Sequence, residues 1–264
     1  MSPELQNRWL PALPVTSETR AKSSSMRLSA PCGWSSEMQR GMICAALGGD
    51  DAGVLASMVA PVEHMVDVVE VRLDLMVRPD VRRCLECIGK PLLFTNRPRW
   101  EGGGWGAGED ERVALLLEAA AAGAAYVDVE LQTEKRLRRA LMEGANNTQV
   151  ILSSHNFTAT PPIHELERTL AEIIDSGADI GKIVTTAHCP ADVFAVLLLQ
   201  QKALERAFPL SCFAMGSSGK ISRLATLYLG GFMSYVAVTT ETAPGQFTAG
   251  HLHELISLFE QQQE

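Results

Sequence analysis

The sequence predicts an α/β fold, a single-domain (β/α)8 TIM barrel with a non-barrel N-terminal extension. Three observations carry the prediction. From Met42 onward, short β-branched or apolar runs alternate with helical stretches, eight times over about 220 residues. The runs are apolar on both faces, as strands covered by helices on both sides must be. Finally, 46% hydrophobic against 20% charged residues in a 264-residue chain supplies one large core. An open doubly wound sheet is the runner-up. It usually needs fewer strands and favours a glycine-rich phosphate loop after the first one. Gly48-Gly49-Asp50 follows that strand, but no GxGxxG does.

Residues 1–40 hold Pro3, Pro11, Pro14, Pro31 and a Ser23-Ser24-Ser25 run without a sustained period. They read as an extension, flexible or loosely docked. Glu4, Glu18 and Glu37 are out of keeping with an acid-poor transit peptide. Residues 41–264 form the predicted catalytic barrel. The strands are Met42–Leu47, Val66–Leu73, Pro91–Thr95, Ala125–Leu131, Gln149–Ser153, Ile180–Val184, Leu210–Met215 and Tyr235–Thr239. The helices are Asp51–Val59, Asp80–Ile88, Asp110–Ala122, Glu134–Glu143, Ile163–Asp175, Ala191–Ala207, Ile221–Gly230 and His251–Gln261. Thr160-Pro161-Pro162 leads into the fifth helix and Gly177 follows its end, as start and stop signals should.

Composition narrows the function. A formal net charge of −8 disfavours a non-specific nucleic-acid binder. No apolar run reaches the roughly 20 residues of a membrane-spanning helix, and the N-terminus lacks the apolar centre of a signal peptide. A cytoplasmic protein without a membrane partner is therefore expected. The six cysteines are scattered, and Cys84-Leu-Glu-Cys87 has no second pair at zinc-ligand spacing. It lies in an amphipathic helix and reads as helix packing.

In a barrel the active site is built at the C-terminal ends of the strands. The second strand carries Glu70, Arg72 and Asp74 on one face, and three charges on one face are costly unless paired or placed in a cavity. The third ends in Thr95-Asn96-Arg97, with Glu101 four residues on. The fourth places Asp128 and Glu130 on one face. The fifth ends Ser153-Ser154-His155-Asn156, and the seventh leads to Met215-Gly216, with Arg223 near the next helix. Thr242-Ala243-Pro244-Gly245-Gln246 follows the eighth. Lys182, between Ile180 and Ile183-Val184, is the most unusual of these, because lysine is rarely buried without a role.

An amine attacks a carbonyl only when neutral. Burial, or a neighbouring cation such as Arg72 or Arg97, would favour that form in Lys182. The resulting iminium is an electron sink that makes an adjacent C–H acidic. His155 can then act as general acid and base, oriented by a carboxylate such as Glu70. Arg223 can make a two-pronged pair with a substrate carboxylate.

Glu70-x-Arg72-x-Asp74, Phe94-Thr95-x-Arg97, Asp128-x-Glu130, Ser154-His155-Asn156-Phe157, Lys182-Ile183, Met215-Gly216 with Ser222-Arg223, and Ala243-Pro244-Gly245-Gln246 together resemble type I 3-dehydroquinate dehydratase. The resemblance spans roughly residues 42–260, and the order and spacing of the motifs are more specific than any one of them. It implies a shikimate-pathway enzyme of aromatic amino acid biosynthesis. That enzyme dehydrates 3-dehydroquinate to 3-dehydroshikimate by syn elimination through an imine, without metal or other cofactor. It makes Lys182 the imine lysine, His155 the proton shuttle, Glu70 its partner and Arg223 the carboxylate ligand. Glu70, Arg72, Arg97, Met215, Thr242 and Gln246 are the expected pocket residues. A homodimer is compatible with the chain. The resemblance leads to a serine near the end of the first strand, where Ala45 stands, and to another before Ala243, where Thr242 stands.

Gly216-Ser217-Ser218-Gly219-Lys220 lacks the first glycine of a phosphate loop, and Ile221 follows its lysine. It reads as a mobile loop that closes over substrate, with Lys220 exposed. Trp100 and Trp105 flank Gly102-Gly103-Gly104, a second expected flexible segment. Two other functions use the same scaffold. A Schiff-base aldolase would keep Lys182 but would not need Arg223 and Gln246. A silent sensor of quinate-like acids would need neither Lys182 nor His155.

Overall fold

The computed structural model describes residues 40–238 and 245–260, all within one compact unit, Ser35–Glu264. The expectations for residues 1–39 and for Thr242 lie outside the described residues. Eight parallel strands follow one another around the sheet: β1 (Met42–Leu47), β2 (Val68–Arg72), β3 (Leu92–Thr95), β4 (Tyr126–Glu130), β5 (Gln149–His155), β6 (Ile180–Thr186), β7 (Leu210–Met215) and β8 (Met233–Ala237). Their order is β7-β6-β5-β4-β3-β2-β1-β8, with a two-residue β9 (Phe247–Thr248) beside β8. The two ends of the run meet where the Phe232 N–H donates to the Leu210 carbonyl at 2.9 Å and the Met233 N–H donates to Ser211 Oγ at 3.2 Å. This is the predicted (β/α)8 barrel.

The helices are α1 (Ala52–Val59), α2 (Val81–Cys87), α3 (Glu109–Ala121), α4 (Lys135–Gly144), α5 (Ile163–Asp175), α6 (Pro190–Glu205), α7 (Lys220–Tyr228) and α8 (Ala249–Glu260). Their starts follow capping chemistry. Asp51 Oδ1 accepts the N–H groups of Gly53 and Val54 at α1, and Asp80 accepts that of Arg83 at α2. Glu109, Asp110 and Glu111 place negative charge on the first turn of α3. Pro190 sits at the first turn of α6, one residue earlier than expected, where its missing N–H costs nothing.

Strand alternation sorts the core into two shells. Ala45, Val69, Phe94, Val127, Leu152 and Ile183 pack outward against the helices. Cys44, Val68, Leu93, Ile151, Ile180, Phe213, Met233 and Tyr235 fill the barrel interior. Ala45 thus belongs to the helix-facing shell. The serine expected there would not have met a substrate, and the inward neighbour of Cys44 is Ala46. Cys84 is buried under α2 and Cys87 half-buried, as helix packing predicts. Burial pushes the Cys84 thiol up to about 11.

Two expectations about shape change. The second strand ends at Arg72 and turns as a 3-10 segment, Leu73–Leu75. The turn points the Asp74 carboxylate back to accept from Arg72 Nε (2.9 Å), the Arg97 N–H (3.1 Å) and the Gly104 N–H (2.9 Å). The segment around Gly102–Gly104 is consequently a tied loop, closed by a parallel bridge between Pro98 and Trp105, and not a flexible flap. Arg99 and Trp105 exchange main-chain bonds with it, at 3.1 Å from the Arg99 N–H to the Trp105 carbonyl and 3.1 Å from the Trp105 N–H to the Arg97 carbonyl. A Cβ at position 103 would lie 2.1 Å from the Arg97 carbonyl oxygen, so only glycine fits.

Candidate active site

The charges that sequence alternation placed on inward strand faces converge at the C-terminal mouth of the barrel. Glu70, Arg72, Arg97, His155, Lys182, Met215, Arg223 and Gln246 all line one cavity. Every described residue expected in the site is present there. Glu101 lines it too, and the sequence had given it no role.

Lys182 stands inward on β6 with Ser153 of β5 as its register partner. It is 5% exposed, and its Nζ lies 3.2 Å from Asp128 Oδ2 and 3.7 Å from Glu70 Oε1. The ring centroid of Tyr235 is 3.9 Å away. The charges nearest the amine are therefore carboxylates. Of the two cations expected beside Lys182, Arg97 reaches the same Asp128 oxygen, Oδ2, that Lys182 reaches, whereas Arg72 turns to a carboxylate of its own. Arg72 pairs with Asp74 at 2.7 Å. Arg97 bridges Asp128 at 2.9 Å and Glu130 at 2.7 Å.

Behind them runs an alternating chain of buried charges. Asp128 Oδ1 accepts from Ser153 Oγ at 2.6 Å. Burial alone would raise the Asp128 carboxyl, but Arg97 and Lys182 hold it well below the usual carboxylate range. Glu130 stands between Arg97 and the fully buried Arg112, which also reaches Thr133, Glu109 and the Asn96 carbonyl. Nothing in the strand patterning singled out Arg112, because it comes from α3.

His155 ends β5 with its imidazole largely covered. Its Nδ1 is 3.0 Å from Glu101 Oε1, and the same oxygen accepts the His155 main-chain N–H at 2.8 Å. Glu101 is thus the carboxylate that orients His155, which corrects the expectation that Glu70 does so. Glu70 instead accepts from Thr95 Oγ1 at 2.7 Å and faces Lys182. The physical reason is the tied loop, which folds the 3-10 turn Arg99–Glu101 down over the mouth. One signal was available, an acid set among tryptophans and glycines just past a strand end.

Burial raises the Glu101 carboxyl to about 7. Burial, then the charges of Arg97 and Lys182, push His155 well below its usual value. The imidazole is accordingly neutral near pH 7. With its proton on Nδ1 toward Glu101, Nε2 is left as a base for the cavity. Arg223 is buried at the cavity wall, its guanidinium 4.4 Å from the centroid of the Phe213 ring. Lys220, expected in solvent, lies with its Nζ 4.6 Å from the centroid of the Phe247 ring.

The arrangement can form a covalent imine, move a proton next to it and grip an anion. Comparisons with known proteins point the same way. The family model for Type I 3-dehydroquinase matches residues 43–263. A 3-dehydroquinate dehydratase of Desulfotalea psychrophila is 40% identical over 199 residues, 73% of this chain and 87% of that protein. The bifunctional 3-dehydroquinate dehydratase/shikimate dehydrogenase of Arabidopsis thaliana is 34% identical over 222 residues, 81% of this chain and 36% of that one. Among solved structures, the 3-dehydroquinate dehydratase of Geobacillus kaustophilus superposes with a TM-score of 0.76 at 27% identity, covering 85% of this chain and 93% of that one. With the fold, the site and the family model in agreement, the chain belongs to the type I 3-dehydroquinase family.

Proposed function

We propose that this chain is a 3-dehydroquinate dehydratase, a hydro-lyase of the shikimate pathway acting through a lysine Schiff base on Lys182. The observation that carries the assignment to Lys182 is a buried amine at a barrel strand end, faced by two carboxylates and an aromatic ring. The Lys182 amine attacks the substrate ketone, and loss of water gives an iminium. Asp128, Glu70 and the Tyr235 face stabilise that cation. Nε2 of His155 takes a proton from the carbon next to the iminium, leaving an enamine. The hydroxyl on the next carbon departs as water, carrying the proton that His155 returns. Hydrolysis of the conjugated iminium frees the enone product and the amine. One water leaves in forming the imine, one leaves in the elimination and one returns in hydrolysis, so the net change is loss of a single water.

Glu101 holds the imidazole in the required tautomer. Arg223 pairs with the substrate carboxylate, and Arg72, Arg97, Gln246 and Met215 complete the wall. The deciding experiment incubates the protein with 3-dehydroquinate and follows the absorbance of the conjugated enone. Borohydride then reduces the imine, and mass spectrometry maps the adduct. An adduct on another lysine, or full turnover in Lys182→Ala, overturns the assignment. An aldolase would release a cleaved fragment, and a sensor would bind without turnover.

We also place the protein in the cytoplasm and infer a homodimer. The five described cysteines are free thiols, three of them buried, which suits a reducing compartment. Among the described residues no helix is long and apolar enough to cross a membrane. Phe194 and Leu198, one turn apart on α6, expose an apolar patch that self-association would cover. Light scattering should give the mass of two chains, and of one chain in Phe194→Asp. A wild-type mass of one chain overturns the dimer.

A further inference from the structure

Phe157 follows the end of β5 by two residues and lines the same cavity at its mouth. It stacks on the His155 imidazole with centroids 5.8 Å apart and planes at 12°. Such an offset stack is a favourable aromatic geometry. The residue is nevertheless 49% exposed. The place it occupies is made by a glycine. A Cβ at Gly102 would meet the Phe157 ring at 2.7 Å, and Gly102 has a φ of +75°, which side-chain-bearing residues rarely adopt. Gly102 directly follows Glu101, the partner of His155. The ring therefore lies over the junction of the two residues that form the acid–base pair.

We propose that Phe157 is a positioning residue, a water shield over the His155–Glu101 pair seated on the side-chain-free surface of Gly102. This rests on the reading of His155 as the acid–base group, and deepens it. His155 is faced by Glu101 from the tied loop, Arg97 from the segment after β3, Arg72 from β2, Asp128 from β4 and Lys182 from β6. Those charges stay in place when Phe157 is cut back. What changes is the access of water, and burial is the leading cause of the depressed His155 basicity. Admitting water lets the imidazole hold its proton to higher pH, toward its ordinary value of about 6.5. A base that titrates near 6.5 is only about one-tenth neutral at pH 5.5.

Phe157→Ala is therefore expected to move the acid limb of the kcat profile upward. At pH 5.5 the rate falls to about one-tenth of its pH 8 value, and at pH 8 it stays within about threefold of wild type. Phe157→Leu restores apolar cover and brings the limb back. Gly102→Ala, which displaces the ring, moves the limb the same way as Phe157→Ala, and adds nothing in a Phe157→Ala background. The direct readout is an NMR titration of His155 in enzyme labelled at histidine, which needs no turnover. An unshifted His155 titration in Phe157→Ala overturns the shield, as does a KM increase with an unmoved limb. A double variant shifted beyond either single overturns the glycine seat. If His155 titrates higher while the rate profile does not move, the shield stands and the acid–base assignment of His155 fails.

Discussion

Replacing Arg112 with methionine tests how far the charge chain behind Lys182 also holds the barrel together. All five guanidinium N–H donors of Arg112 are used. Nε donates to Glu109 Oε1 at 3.1 Å. One terminal nitrogen donates to the Asn96 carbonyl at 3.1 Å and to Glu130 Oε2 at 2.5 Å, and the other to Glu109 Oε2 at 2.8 Å and Thr133 Oγ1 at 2.7 Å. The side chain is 0% exposed, so water does not replace these bonds in the variant. Methionine keeps most of the volume and removes the charge, leaving Glu130 with Arg97 alone as a cationic partner. Breaking a buried ion pair from one side costs about 3–5 kcal/mol, because the remaining charge is stranded. Taking about 4 kcal/mol and a urea dependence of about 3 kcal/mol per M, the unfolding midpoint falls by roughly 1.3 M. Adding Glu130→Gln removes the stranded charge, and the double variant should recover about 2 kcal/mol relative to the sum of the two single losses. Urea titration followed by fluorescence and circular dichroism measures both. A single variant within about 0.2 M of wild type, or strictly additive losses, would refute the reasoning.

Three further outcomes follow from the same geometry. His155→Ala should still form the borohydride-trappable imine while turnover drops by about 10²–10⁴, the usual scale for losing a general acid–base; loss of trapping would instead give His155 a part in forming the imine. Glu101 holds a proton in the folded state up to about 7 while the unfolded chain releases it near 4.5. Its contribution to stability is thus present at low pH and fades as pH rises through 7. Glu101→Gln should accordingly show a stability deficit that shrinks by about 1 kcal/mol per pH unit between pH 5 and 7, and a constant deficit in urea titrations across that range contradicts it. Gly103→Ala drives a Cβ into the Arg97 carbonyl and should cost about 1–3 kcal/mol while displacing Glu101. Activity that survives at full rate in this variant would show that the tied loop does not position the pair.

Much of this was legible because strands impose a period of two. Once Lys182 was assigned to a strand, Ile180 and Val184 had to share its face, and the barrel interior holds all three. The same alternation correctly aimed Glu70, Arg72, Asp128 and Glu130 inward. It also had the means to place Ala45 outward, since Cys44 and Ala46 take the inner face. The failures come from the parts of the chain with no period. Glu70 was paired with His155 because both sit at strand ends, but adjacency around a barrel is a matter of register and stagger. Between β2 and β5 lie β3 and β4, so Glu70 finds its partners in Thr95 of β3 and in Lys182 across the interior. Glu101 reaches His155 because Asp74 binds Gly104 and a glycine at 103 lets the loop close on Arg97. Those are long-range constraints on a loop, written in residues whose local preference is for flexibility. A cluster of glycines therefore has two opposite meanings. It loosens a loop when nothing approaches the backbone, and it permits a tight fold when a carbonyl or an aromatic ring must lie where Cβ would be. Gly102 and Gly103 are of the second kind, and the carboxylate they deliver is the one the strand pattern left without a role.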